Sequence, residues 1–153
     1  MVSQPNSAEP LPIAVSVKPH LIRAAAIGFG VFLIAVVFIA NRGEAERWWP
    51  FLYHMPYGDK IGHIGLFGTL CFLCNLAFPS RHFGRRPFLI TLTTLVLLAV
   101  ITLEEISQLY IPTRNFDLLD WLADLVAITA GQTAACLYPR IFRRKVDTEK
   151  TTS

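Results

Sequence analysis

Charge is scarce in this chain. Only 16% of its 153 residues are Asp, Glu, Lys or Arg, while 53% are apolar and the mean hydropathy is +0.45. Soluble domains carry about 25% charged residues; this chain has too little polar surface to cover a water-facing globule. The composition reads as a membrane protein, and the length suits one domain. The formal net charge of +3 is small and gathered at segment ends, which excludes a nucleic-acid partner. Cysteine is sparse as well. Cys71, Cys74 and Cys136 all fall in apolar runs. No second pair stands near to complete a zinc site with Cys71 and Cys74, so all three read as small buried or lipid-facing side chains. Also missing are period-two alternation long enough for a strand, internal repeats, an HExxH spacing and a Gly-rich phosphate loop.

What is present is long apolar runs. A spanning helix needs about 20 mostly apolar residues, and four stretches qualify: residues 21–40, 61–78, 87–110 and 117–138. The first is longer than a signal-peptide core, follows a polar tail and ends in "VFIANRG" without a clear small-x-small cleavage site, so it is expected to stay. The third opens with Pro87, a residue that suits a first helical turn. The fourth is polar at its start and apolar afterwards. The expected fold class is therefore an all-α bundle of four transmembrane helices over residues 18–145. Residues 1–17 and 146–153 are polar and read as disordered tails.

Basic residues in short connections set the direction. Lys18 and Arg23 precede or open the first span, Arg81, Arg85 and Arg86 lie between the second and third, and Arg140, Arg143, Arg144 and Lys145 follow the fourth. A four-span chain puts these groups on one side, so both termini are expected in the cytoplasm. The connections over residues 41–60 and 111–116 then lie outside. The first of these holds "ERWWPFLYHMPY", an aromatic cluster that reads either as an anchor at headgroup level or as a lid over a lipid or other ligand.

The few charges converge on that outer face. "DKIGH" supplies Asp59, Lys60 and His63; "EEISQLYIPTRNFDLLDWLAD" supplies Glu104, Glu105, Gln108, Arg114, Asp117, Asp120 and Asp124. Residues three or four apart share a helix face, which pairs Asp59 with His63, groups Gln108 with Glu104 or Glu105, and aligns Asp117, Asp120 and Asp124 in one stripe. Asp124 is about 10 Å into the fourth span at 1.5 Å per residue. A carboxylate there costs about 2.5–3.5 kcal/mol, so it is expected to face the bundle interior and find a partner. Six carboxyl groups against Lys60, Arg114 and a protonated His63 leave a surplus of acid. Protonation of some carboxylates, a bound divalent cation, or exposure of some acids to water would resolve it.

Three function classes fit this constellation. A membrane enzyme would use His63 or Glu105 as base, or the His and carboxylates as metal ligands. A binding protein would use Lys60 and the bidentate fork of Arg114 to hold an anionic headgroup. A structural reading makes the whole set an interhelical ion-pair network.

The same residues carry a resemblance. "DKIGHIGLFGTL" and "EISQLYIPTRNFDLLDWLADLVAITAG" resemble the VanZ-like family of bacterial membrane proteins, over residues 57–135. Asp59, Lys60 and His63 match its opening motif. Glu105 and Gln108 match a Glu-x-x-Gln element, and Arg114, Asp117 and Asp120 match an Arg followed by Asp-x-x-Asp. Gly131 matches a glycine of the last span. The chain departs from the pattern at Asp124, where the family usually has Asn, at Ala127, where it usually has Gly, and in the additional Glu104. The resemblance implies a multi-pass protein of the bacterial cytoplasmic membrane and a cell-envelope role, with teicoplanin resistance the phenotype of the founding members. The expected partner is an anionic envelope component, a phospholipid or lipid-linked cell-wall precursor, held by Asp59, Lys60, His63, Glu105, Gln108, Arg114, Asp117, Asp120 and Asp124.

Overall fold

The structure is a computed structural model that describes residues 18–80, 82–83 and 90–151; of Tyr53 and of residues 82–83 and 139–151 the backbone alone is described. The expected N-terminal tail, residues 1–17, and most of the basic loop at 81–89 lie outside the described residues. The chain is almost wholly helical. Helix α1 spans Pro19–Asn41, with proline in its first turn where a missing N–H costs nothing. Two four-residue turns, α2 (Ala45–Trp48) and α3 (Pro50–Tyr53), lead into α4 (Gly58–Ala77). Helix α5 (Leu92–Ser107) continues through a 3-10 turn, Gln108–Tyr110, and a short connection leads to α6 (Leu118–Thr151).

Among the described residues three helices are long and apolar enough to cross a membrane: Pro19–Asn41, Gly58–Ala77 and Leu92–Tyr110. The protein is a membrane protein on that ground. Helix α6 has the length, at 34 residues, but Asp120 and Asp124 interrupt its first turns and a basic stretch follows residue 139.

Two boundaries differ from expectation. The third helix starts at Leu92, not Pro87, because Thr91 caps it: the Thr91 hydroxyl accepts a hydrogen bond from the Thr94 amide, satisfying one of the free N–H groups of the first turn. Just before that, Ile90 and Thr91 pair antiparallel with Phe83 and His82, so the backbone is extended where a helix was expected. At the other end of the chain, α6 runs on through residues 146–151, which had read as a tail. Arg143, Arg144, Lys145, Glu149 and Lys150 are good helix formers, and no Gly or Pro follows Pro139.

Helix α6 packs chiefly against α4, and the two run parallel. Lys60 meets Asp117 and Asp120, His63 meets Asp124, Cys71 meets the Ile128 carbonyl, and the Phe72 ring stands edge-on to Tyr138. The crossing is close because glycine lines it. A Cβ on Gly131 would collide with the Gly68 carbonyl oxygen, and one on Gly68 would lie 3.3 Å from the Ala127 carbonyl oxygen. Small residues let membrane helices approach in this way. Helices α1 and α5 run antiparallel to α4, with Arg23 donating to the Ala77 carbonyl and Asn75 donating to Thr94. The core cluster of Leu33, Phe67, Cys71, Ile101, Ala127 and Ile128 joins all four long helices.

A neutral polar network closes the end of the bundle near Ala77. Thr91 donates to Asn75 (2.6 Å) and Thr94 (2.8 Å), Asn75 donates to Thr94 (2.9 Å), and the Thr91 amide donates to the Gln132 side chain (3.1 Å). Polar groups removed from water are satisfied there by one another.

Candidate functional site

The opposite end carries the charge. Asp117 sits where α6 begins: its Oδ1 accepts from the Leu119 amide at 2.8 Å, and its backbone carbonyl accepts from the Asp120 and Trp121 amides. Its other oxygen, Oδ2, takes a hydrogen bond from Lys60 Nζ at 2.8 Å. The same ammonium reaches Asp120 Oδ1 at 2.8 Å and Asp59 Oδ2 at 2.7 Å. Lys60 is thus fully engaged by three carboxylates, one for each of its N–H donors. Its side chain is 15% exposed, against 57% for Asp59 and 41% for Asp117, so water solvates much of the surplus acid. An ammonium so occupied has no donor left for an outside anion.

One turn along α4 a second cluster forms without a lysine. His63 Nδ1 lies 2.9 Å from Asp124 Oδ1, and the His63 ring stacks at a tilt on Phe67, 5.5 Å between centroids. Ligand-type atoms of His63, Glu105 and Asp124 all lie within 4.8 Å of one another. Here there is almost no water: Glu105 is 0% and Asp124 1% exposed. Glu105 is fixed from two sides, Oε1 by the Asp117 amide at 3.2 Å and Oε2 by Gln108 Nε2 at 3.1 Å. Gln108 Nε2 also donates to Glu104 at 3.3 Å. Among the described residues no donor reaches Asp124 Oδ2 or Gln108 Oε1, although both are buried.

Beside these clusters lies a cavity of about 540 Å³, walled by α1, the aromatic turns, α4 and the 113–120 segment. Asp59, His63, Glu104, Arg114, Asp117 and Asp120 line its polar side. Arg114 is half-buried, and among the described residues its side chain makes no ion pair or hydrogen bond. An apolar groove of about 430 Å³ continues from it between α1, α4 and α5, sharing Leu33, Val37, Phe67 and Glu104 with the cavity. Among the described residues, Glu104 is the only charged one on that groove.

All nine residues singled out from the sequence are thus brought together, by the cavity wall or by the hydrogen bonds just given. Gln108 pairs with Glu104 and Glu105, as the helical-face reading has it; the other pairings differ. Asp59 goes to Lys60 and not to His63, and the Asp117–Asp120–Asp124 stripe is divided between Lys60 and His63. The aromatic cluster divides too. Trp49 lines the cavity while Trp48, Phe51 and Tyr57 are exposed. Gly58 lets this segment fold down, since a Cβ there would collide with the Leu52 carbonyl oxygen. Glu104, expected as an added acid grouped with Gln108, sits where the cavity and the groove join. Its one signal was a charge at the end of an apolar run.

A family model described as VanZ/LLP1 matches residues 12–142. The chain belongs to that family. No curated protein and no solved structure matches it. The match covers every element that builds the charged end; of the residues in the two clusters, Asp124 is the one that departs from the VanZ-like pattern. What the arrangement offers chemically is a half-buried guanidinium, a His–Asp pair on a cavity wall, and an apolar groove leading away.

Proposed function

We propose that this VanZ-like protein binds an amphiphilic component of the bacterial envelope at the outer face of the cytoplasmic membrane. An anionic headgroup lies in the cavity against Arg114, and the lipid tail runs into the adjoining groove. One observation carries the reading: a polar cavity holding an arginine that has no partner among the described residues opens into an apolar groove. A bidentate fork suits phosphate or carboxylate. Lys60, expected to share this task, instead holds Asp59, Asp117 and Asp120 in place, and Arg114 takes it alone.

The topology belongs to the same proposal. With α6 as a fourth span, the parallel course of α4 and α6 matches alternating passes through the bilayer. The basic segments after residues 80 and 139 then share the cytoplasmic side with both termini. Binding of a phospholipid or lipid-linked precursor at the outer face would connect the protein with the glycopeptide response of its family.

The test is lipid titration of the delipidated protein in detergent, comparing anionic phosphatidylglycerol with zwitterionic phosphatidylcholine. Arg114→Gln should weaken phosphatidylglycerol binding by about tenfold, the 1.4 kcal/mol typical of a charge-assisted contact, and leave phosphatidylcholine unchanged. Equal binding of the two lipids by wild type and variant would overturn the proposal. An enzymatic alternative rests on His63, a cavity-lining base oriented by buried Asp124. It is favoured if a lipid-linked phosphate is turned over and His63→Ala abolishes the product.

A further inference from the structure

His63, Glu105 and Asp124 bring three donor side chains from α4, α5 and α6 to one point, and nothing in the headgroup reading uses their convergence. Two buried carboxylates this close repel unless something positive lies between them. Among the described residues the candidate at hand is His63. Its Nδ1 is engaged with Asp124 Oδ1, which leaves Asp124 Oδ2 buried and without a partner among the described residues. A buried carboxylate oxygen in that state is costly.

The Asp59, Asp117 and Asp120 group also gathers its oxygens within 4.8 Å but already surrounds an ammonium. We propose that the His63–Glu105–Asp124 cluster is the binding site of a divalent transition cation, zinc or manganese in class. One imidazole and two carboxylates form a mixed nitrogen–oxygen set of the kind these ions accept, whereas calcium takes six to eight oxygens.

The surroundings fit a metal site in three further respects. Ligand atoms about 2.1 Å from an ion need only draw in modestly from their present spacing, with the ion replacing the His63–Asp124 hydrogen bond. Glu105 is oriented by the Gln108 side chain and the Asp117 amide, the outer-sphere support that metal-binding carboxylates have. Finally, His63 is on the cavity wall, so an ion has a path in. Three protein ligands leave a coordination position open.

The proposal is independent of Arg114 and of any lipid. Full-length protein in detergent, stripped with EDTA and freed of it, is titrated with Zn²⁺ against a chromophoric chelator. One ion per chain should bind. His63→Ala and Asp124→Asn should each weaken binding by at least about tenfold, the lower end of what disturbing a metal's supporting shell costs. Asp59→Asn, in the lysine-filled cluster, should keep wild-type affinity. The Asp124→Asn side chain can still hydrogen-bond His63, so its metal-free unfolding temperature should stay near that of wild type and separate lost ligation from lost fold. Failure of wild type to compete with the chelator, or equal affinity in all three variants, would overturn the proposal. So would a loss confined to Asp59→Asn.

Discussion

Two carboxylate clusters gather around Lys60 and His63, one helical turn apart on α4, and they are neutralised in opposite ways. Asp59, Asp117 and Asp120 surround Lys60 at 2.7–2.8 Å, and two of the three face water. Glu105 and Asp124 are closed to water, share only His63, and leave the Asp124 Oδ2 atom without a donor among the described residues. In each, the ligand-type atoms lie within 4.8 Å of one another; the counter-charge differs. The first cluster is complete as folded and acts as a clamp between α4 and the start of α6. The second is incomplete, and an incomplete buried cluster beside a cavity is where a ligand is expected. Structure and function thus separate within a single turn of helix.

Removing the lysine should break this comparison most severely. Lys60→Met leaves three carboxylates facing one another with Asp120 buried. Losing one side of a buried pair costs about 3–5 kcal/mol; two of the partners are solvated, so a loss of about 1–3 kcal/mol is expected, read as a lowered unfolding midpoint in detergent. An unchanged midpoint would mean that Lys60 is no clamp. At the small end, Asp59→Asn removes the most exposed partner and should shift stability by no more than about 0.5 kcal/mol, as surface substitutions do. A larger drop would show that the water-facing acid matters as much as the buried one.

Much of the fold was legible because a membrane makes hydropathy decisive. The helices Pro19–Asn41 and Gly58–Ala77 fall within a few residues of the apolar runs that announced them. The start of α5 was not legible from Pro87, because a cap depends on the Thr91 hydroxyl finding the Thr94 amide and not on composition. The gathering of charge was legible for a related reason: Asp124 and Glu105 in an apolar stretch had to meet partners somewhere. Which partners they meet was not. Lys60 and Asp117 are 57 residues apart, and His63 and Asp124 are 61 apart; their register is set by the close passage of Gly68 and Gly131, which helical spacing within either segment cannot report. The Thr91–Asn75–Thr94–Gln132 network escaped notice because neutral side chains in apolar runs carry little signal until they are seen together.

The most direct test of the difference between the clusters is where a metal goes. Protein labelled with ¹⁵N-histidine and loaded with one equivalent of Mn²⁺ is measured by pulsed electron paramagnetic resonance, which reads nitrogen bound to the ion. A coupling from one imidazole, lost in His63→Ala, is the expected result. An ion coordinated by oxygen alone, with a spectrum that His63→Ala leaves unchanged, would contradict it.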